Sequence, residues 1–161
     1  MFEDSIYLSE IVLQIKISNK AYQRILNYED HIEIWSSIQS VLIAAANISK
    51  ILWPNKKYNL RGARLRKMLN ISDDNILRDR TFRNHFEHYD ERIATWFEKQ
   101  ANGVYIDLAM NPDLSFSAQN TNRGYNTIDE TVVFRGQKFD LSKLNEAMLE
   151  ILEKCKPYVL V

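Results

Sequence analysis

Residues 83–92, RNHFEHYDER, place two arginines, two histidines, two glutamates and an aspartate within ten positions. Histidine is the side chain that moves protons near neutral pH. Arginine keeps its charge and presents a planar fork to oxyanions. Three kinds of site use such residues. A solvated helix face uses them as i,i+4 partners, here Arg83 with Glu87 and Asn84 with His88, each pair adding a few tenths of a kcal/mol. A zinc site could start from His85-x-x-His88, but no third ligand follows at a known spacing and the single cysteine, Cys155, is far away. No metal is expected. The third use is an active site.

The elements around this stretch are mostly helical. Apolar residues recur at helical spacing over about 4–28 (Leu8, Ile11, Val12, Ile15, Tyr22, Ile25, Leu26) and about 31–53 (Ile34, Trp35, Ile38, Val41, Leu42, Ala45, Ile48, Leu52). Pro54 stops the second helix. A short helix follows around 61–70. Ser72-Asp73-Asp74 is a capping signal for a long helix reaching about Gln100 and ending near Gly103, with the motif in its middle. Residues 103–110, GVYIDLAM, alternate as a strand does, and 111–126 read as loop. Residues 127–134, the pair Arg135-Gly136 and residues 137–139 form a hairpin pattern. Asp140 can cap a last helix over about 142–156 with Leu144, Met148, Ile151, Leu152 and Cys155 on its apolar face. The predicted fold is mainly α, an up-and-down bundle of four to five helices in one domain spanning 1–161, with a small β-hairpin or sheet before the C-terminal helix.

On one continuous helix, with Phe86 at zero and about 100° per residue, Phe82, Tyr89, Ile93, Trp96 and Phe97 form an aromatic stripe that should face the core. Arg83, Asn84, Glu87, His88 and Glu91 share the opposite face, turned outward. His85 falls at the stripe's edge and should pack beside Tyr89 and Trp96.

Composition narrows the classes. The 161 residues suit one domain that buries roughly 70% of its unfolded surface. Lys plus Arg and Asp plus Glu are both 21, so the whole molecule is no general polyanion binder. One cysteine allows no disulfide within the chain and points to a reducing, cytoplasmic home. The acidic N-terminus lacks the basic region of a signal peptide, and the apolar run 41–46 is too short to span a bilayer, so no membrane role is expected. Charge is uneven, however. Nine basic residues (Lys56, Lys57, Arg61, Arg64, Arg66, Lys67, Arg78, Arg80 and Arg83) face only Asp73, Asp74 and Asp79 over 56–83. Within that run Lys56, Lys57, Arg61, Arg64, Arg66 and Lys67, with Tyr58 to stack on a base, are candidate nucleic-acid contacts. A basic helix that merely balances the acidic remainder is the plainer account.

Arg83-Asn84-x-x-x-His88 resembles the R-N-x-x-x-H signature of the HEPN superfamily, all-helical domains many of which are ribonucleases. The tail Gly136-Gln137-Lys138-Phe139-Asp140-Leu141 is similar to the hairpin end found before the last helix in a group of bacterial HEPN-like proteins. The resemblance covers most of 72–156 and rests on about a dozen positions. It implies cleavage of RNA without metal or cofactor. The 2′-hydroxyl attacks the phosphate; His88 does the proton work; Arg83 stabilises transition-state charge; Asn84 orients His88 or the phosphate. It also implies a homodimer through the helix of residues 83–91, completing a composite site, with RNA and a separate antitoxin protein as partners. Non-catalytic HEPN-like modules that bind nucleotide or protein share the fold. Glu87 and Glu91 depart from the expected setting, since two carboxylates near a phosphate repel it.

Overall fold

The computed structural model describes residues 2–27, 29–100, 103–113 and 120–159. Among these residues the chain forms α1 (Phe2–Asn27), α2 (His31–Leu52), a 3-10 turn (Lys56–Tyr58), α3 (Asn59–Met68), a second 3-10 turn (Ile76–Arg78), α4 (Thr81–Glu87), α5 (Tyr89–Lys99), β1 (Ala109–Met110), β2 (Arg123–Asn126), β3 (Thr131–Phe134), β4 (Gln137–Asp140) and α6 (Leu141–Cys155). It is mainly helical, with a small sheet before the last helix, as the periodicity predicts. No helix of the described residues is long and apolar enough to cross a membrane.

The chain falls into two compact units, one holding it up to Arg80 and again from Lys143, the other Thr81–Ser142. In the first, α1 and α2 pack along their length. The short link between them makes the pair antiparallel. Positions 8, 11, 15, 18, 22 and 25 of α1 are buried, a 3-4 alternation that keeps one seam on the partner helix. Asp30 caps α2, its carboxylate accepting the Glu33 N–H at 2.8 Å. Leu144, Met148, Ile151 and Cys155 bury the inner face of α6. Asp4, 7% exposed, accepts two hydrogen bonds from Arg64, 3.0 and 2.7 Å, and ties α1 to α3.

Gly62 sits where α3 meets the end of α2. A Cβ there would strike Pro54 Cδ and lie 2.7 Å from the Leu52 carbonyl oxygen. Alanine is the better helix former by about 1 kcal/mol, but overpacking at this contact costs more. Gly62→Ala should therefore lower stability by about 1–3 kcal/mol, measured by urea denaturation; an increase would show that Pro54 yields freely.

In the second unit the sheet order is β1-β2-β3-β4, with β1 parallel to β2 and the other pairs antiparallel. Arg135 and Gly136 close the β3–β4 hairpin, both at positive φ (47° and 80°). This is the two-residue turn whose twist matches a hairpin, and it lies where the sequence predicts it. β3 is buried at Val132, Val133 and Phe134. Phe82 of α4 stacks on Phe139 at 4.9 Å and His85 on Phe134 at 4.1 Å, holding α4 to the hairpin.

Two sequence expectations need correction. Residues 123–126, expected as loop, are strand β2: it pairs antiparallel with β3 across the turn at 127–130 and parallel with β1, and its own Arg, Gly and Asn carry little strand signal. Residues 114–119 of that loop lie outside the described residues. The helix predicted from 72–74 to about Gln100 is interrupted. Ser72 bonds the Asp74 carboxylate instead of capping it, Asn75 caps the turn Ile76–Arg78, and α4 begins only at Thr81. It breaks again at His88. Local capping signals cannot register these interruptions, and the tertiary anchors differ on either side of residue 88.

Candidate functional site

Arg83 and Asn84 lie on α4, and His88 is the residue between α4 and α5, at φ −108° and ψ 40°. The His88 N–H still donates to the Asn84 carbonyl at 3.0 Å, and the Arg92 N–H to the His88 carbonyl at 3.2 Å. The break is therefore a one-residue kink. Upstream, Phe82 and His85 anchor to the hairpin. Downstream, the Tyr89 hydroxyl donates to Asp107 at 2.6 Å and lies 2.9 Å from that of Tyr105.

The motif side chains diverge in burial. Arg83 is 13% exposed, not turned outward as expected. Its Nη2 donates to Asn84 Oδ1 at 3.1 Å, and its Nε lies 3.5 Å from Glu87 Oε2, the predicted i,i+4 pair. Arg83 Nη1, shielded from solvent, has no hydrogen-bond partner among the described residues. His88 is 51% exposed, with Nδ1 3.5 Å from Glu91 Oε1. Asn84 therefore positions Arg83, and its link to His88 runs through the backbone. The structure joins Arg83 to Asn84 but gives no side-chain contact between either and His88.

His85 also differs from expectation. Its ring stands edge-on to Phe82 and stacks on Phe134, with Nε2 3.2 Å from Gln137 Oε1, rather than beside Tyr89 and Trp96. The hairpin, distant in sequence, supplies those partners. The aromatic stripe is likewise split: Phe82 and Trp96 are buried, but Phe97 is 50% exposed. Among the described residues no three His, Cys, Asp or Glu side chains cluster as metal ligands would.

The basic stretch lies in the other unit. Arg61 donates to the Tyr7 hydroxyl at 3.2 Å and covers the rings of Tyr7 and Tyr58. Arg64 holds Asp4, and Arg66 pairs with Asp73 at 3.2 Å beneath a bond to the Leu52 carbonyl. Burial there is offset for Asp4, whose carboxyl the Arg64 hydrogen bonds hold below its usual range. These three arginines knit the helices together. Lys56, Lys57, Tyr58 and Lys67 remain exposed, with Lys57 5.2 Å from the Tyr58 ring centroid.

Sequence reasoning missed a polar cluster in the second unit. Asp107 accepts from Arg123 at 2.9 and 2.6 Å and from Tyr89, and Arg123 lies 4.0 Å over the Tyr89 ring. Burial pushes the Asp107 carboxyl up, but the Arg123 and Tyr89 hydrogen bonds and the Arg123 charge outweigh it and leave it net lowered. Burial first, then the Asp107 bond, push the Tyr89 phenol up. No local spacing links residues 89, 107 and 123, so nothing in the sequence signals the cluster.

Comparison with known protein families, curated proteins and solved structures finds no match for this chain.

Proposed function

We propose that this chain is a HEPN-like, metal-independent endoribonuclease of the toxin or defence type, its site completed by a second copy docking on the helices that carry residues 83–91. The observation that carries the reading is His88: an imidazole 51% exposed at a helix kink, its Nδ1 beside the Glu91 carboxylate. A carboxylate on one ring nitrogen orients the imidazole and leaves the other for proton transfer. The chemistry starts with removal of the 2′-hydroxyl proton by His88. Attack on phosphorus follows, with charge on the phosphorane met by Arg83. Protonation of the leaving 5′-oxygen leaves a 2′,3′-cyclic phosphate. Arg83 is 13% exposed on α4 and His88 is 51% exposed at the kink, with no side-chain contact between them among the described residues, so in this reading one subunit does not aim both at the same phosphate. The guanidinium of one copy and the imidazole of its mate would do so across a two-fold axis.

A second reading has its own support. Arg83 pairs with Glu87, and His88 Nδ1 lies beside Glu91, so both side chains already have partners inside the chain. That suits a non-catalytic HEPN-like module holding a nucleotide or a protein. The exposed positions Glu87, Asp90 and Glu91 also make a two-fold contact here self-repulsive. Dimerisation should therefore strengthen as salt rises from about 0.01 M to about 0.15 M, where screening shortens from roughly 30 Å to 8 Å.

The experiment incubates mixed RNA with the protein in EDTA and analyses the fragment ends, while sedimentation measures mass at both salt levels. Cyclic phosphate ends and a dimer favoured by salt are expected. Intact RNA from a dimer leaves the binding module; a strict monomer at high concentration sinks the composite site.

A further inference from the structure

Arg92 and Arg135, both half-buried in the second unit, meet around one buried amide. Arg135, at the β3–β4 turn, donates from Nε to Asn122 Oδ1 at 3.1 Å and from Nη2 to the Arg92 carbonyl. It stands at φ 47°, a turn position that favours Asn, Asp and Gly, so backbone preference does not account for an arginine there. Burial first lowers the Arg135 pKa, Tyr105 and Tyr89 raise it, and the Arg92 charge lowers it further. Near neutral pH the two phenols are uncharged, so the full charge among these neighbours is a like one. Arg92 Nε, Asn122 Nδ2 and Trp96 Nε1 are shielded from solvent and have no hydrogen-bond partner among the described residues. Asn122 is fully buried and Trp96 is 3% exposed. All three nitrogens are donors, so what they lack is an acceptor. Asp107, which Tyr89 also touches, is taken up by Arg123, and Glu91 lies beside His88. No hydrogen bond or ion pair joins Arg92 or Arg135 to a carboxylate among the described residues.

We propose that Arg92, Arg135 and Asn122 form a binding site for a phosphate group. Two neighbouring guanidiniums without a counter-charge repel each other, and half-burial raises the cost of leaving them so. Guanidinium forks match phosphate oxygens in pairs. A carboxylate has two oxygens; a phosphate group has enough for two forks and the Asn122 amide at once. The inference holds whether or not His88 cleaves RNA. Arg92 nevertheless stands one turn from His88, its N–H donating to the His88 carbonyl at 3.2 Å. An RNA backbone is therefore one source of the phosphate, and free phosphate is the other.

The test uses the full chain carrying His88→Ala, which keeps RNA intact, in chloride buffer. Inorganic phosphate and a 5′-hydroxyl RNA oligonucleotide are titrated separately, with calorimetry and the melting temperature as readouts. One of them, or both, should raise the melting temperature by about 3–6 °C at ten times its dissociation constant. Adding Arg92→Met, which keeps an unbranched stem and drops the charge, should weaken that ligand by about tenfold or more. The ligand whose affinity falls identifies the source. In chloride alone the same substitution should leave the melting temperature equal or higher, because it removes a charge without a partner in the chain. No binding of phosphate at about 10 mM or of RNA at about 1 mM overturns the proposal. So does an Arg92→Met chain that binds both ligands like its parent. A chain that Arg92→Met destabilises in chloride overturns it too, because Arg92 would then already have its counter-charge within the protein. In those cases ordered water satisfies the three donors.

Discussion

His88→Ala should lower the rate of RNA cleavage in EDTA by about 10²–10⁴-fold, the usual worth of a positioned general acid–base, and leave the melting temperature where it was. The second half of that expectation follows from exposure: His88 is 51% exposed, and its backbone bonds to Asn84 and Arg92 do not need its ring. Arg83→Ala should match the loss of cleavage but also destabilise, since that guanidinium is 13% exposed and bridges Asn84 and Glu87. Arg83→Lys keeps the charge and loses the fork, and should recover little activity. Mixing the two inactive proteins separates a composite site from a single-chain one. If the arginine of one copy works with the histidine of its mate, half of the dimers are mixed and each carries one intact site. About a quarter of the parent activity then returns, by two-fold symmetry. No return from a proven mixed dimer removes the composite arrangement. RNA cut equally fast by the parent and His88→Ala removes the nuclease altogether.

Asp107→Asn carries the largest expected effect on stability. Asp107 and Arg123 are 20% and 18% exposed at their side chains, and the carboxylate takes both guanidinium bonds and the Tyr89 hydroxyl. Removing one partner of such a pair strands the other charge where water reaches it poorly. The full cost of about 3–5 kcal/mol applies to complete burial; with about a fifth of each side chain wet, about 2–3 kcal/mol is the expectation, or a fall of roughly 5–10 °C in melting temperature. The effect should depend on pH in one direction. The folded Asp107 carboxyl titrates below its ordinary value, so its contribution is present above about pH 4 and is lost as pH falls through the folded pKa. Melts at pH 7 and pH 3 should therefore show a smaller gap between parent and Asp107→Asn at the second than at the first. An equal gap at both would mean that shape and packing, not charge, hold residues 89, 107 and 123 together. The cluster also bears on the motif, because Tyr89 is the residue after His88 and its tie to Asp107 is one of the anchors on the downstream side of the kink.

What the amino-acid order determined by itself is the part governed by near neighbours. The 3-4 spacing of apolar residues dictates α1 and α2, Pro54 ends the second, and Arg135-Gly136 closes the hairpin, because each depends on a few consecutive dihedral angles or on one helix face. The charge excess over 56–83 is equally plain in the sequence. What became of that charge is not. Arg61, Arg64 and Arg66 reach Tyr7, Asp4 and Asp73, and Arg66, Arg78 and Arg80 gather at one cavity. The motif shows the same divide: its residue types and the Arg83–Glu87 pair follow from spacing, but the kink at His88 and the seat of His85 on Phe134 do not. The Asp107–Arg123 pair belongs with these. Contacts such as Arg64–Asp4, His85–Phe134 and Asp107–Arg123 join residues far apart in the chain, and their energy exists only once loop closure has brought them together, so no local window of residues can carry their signature.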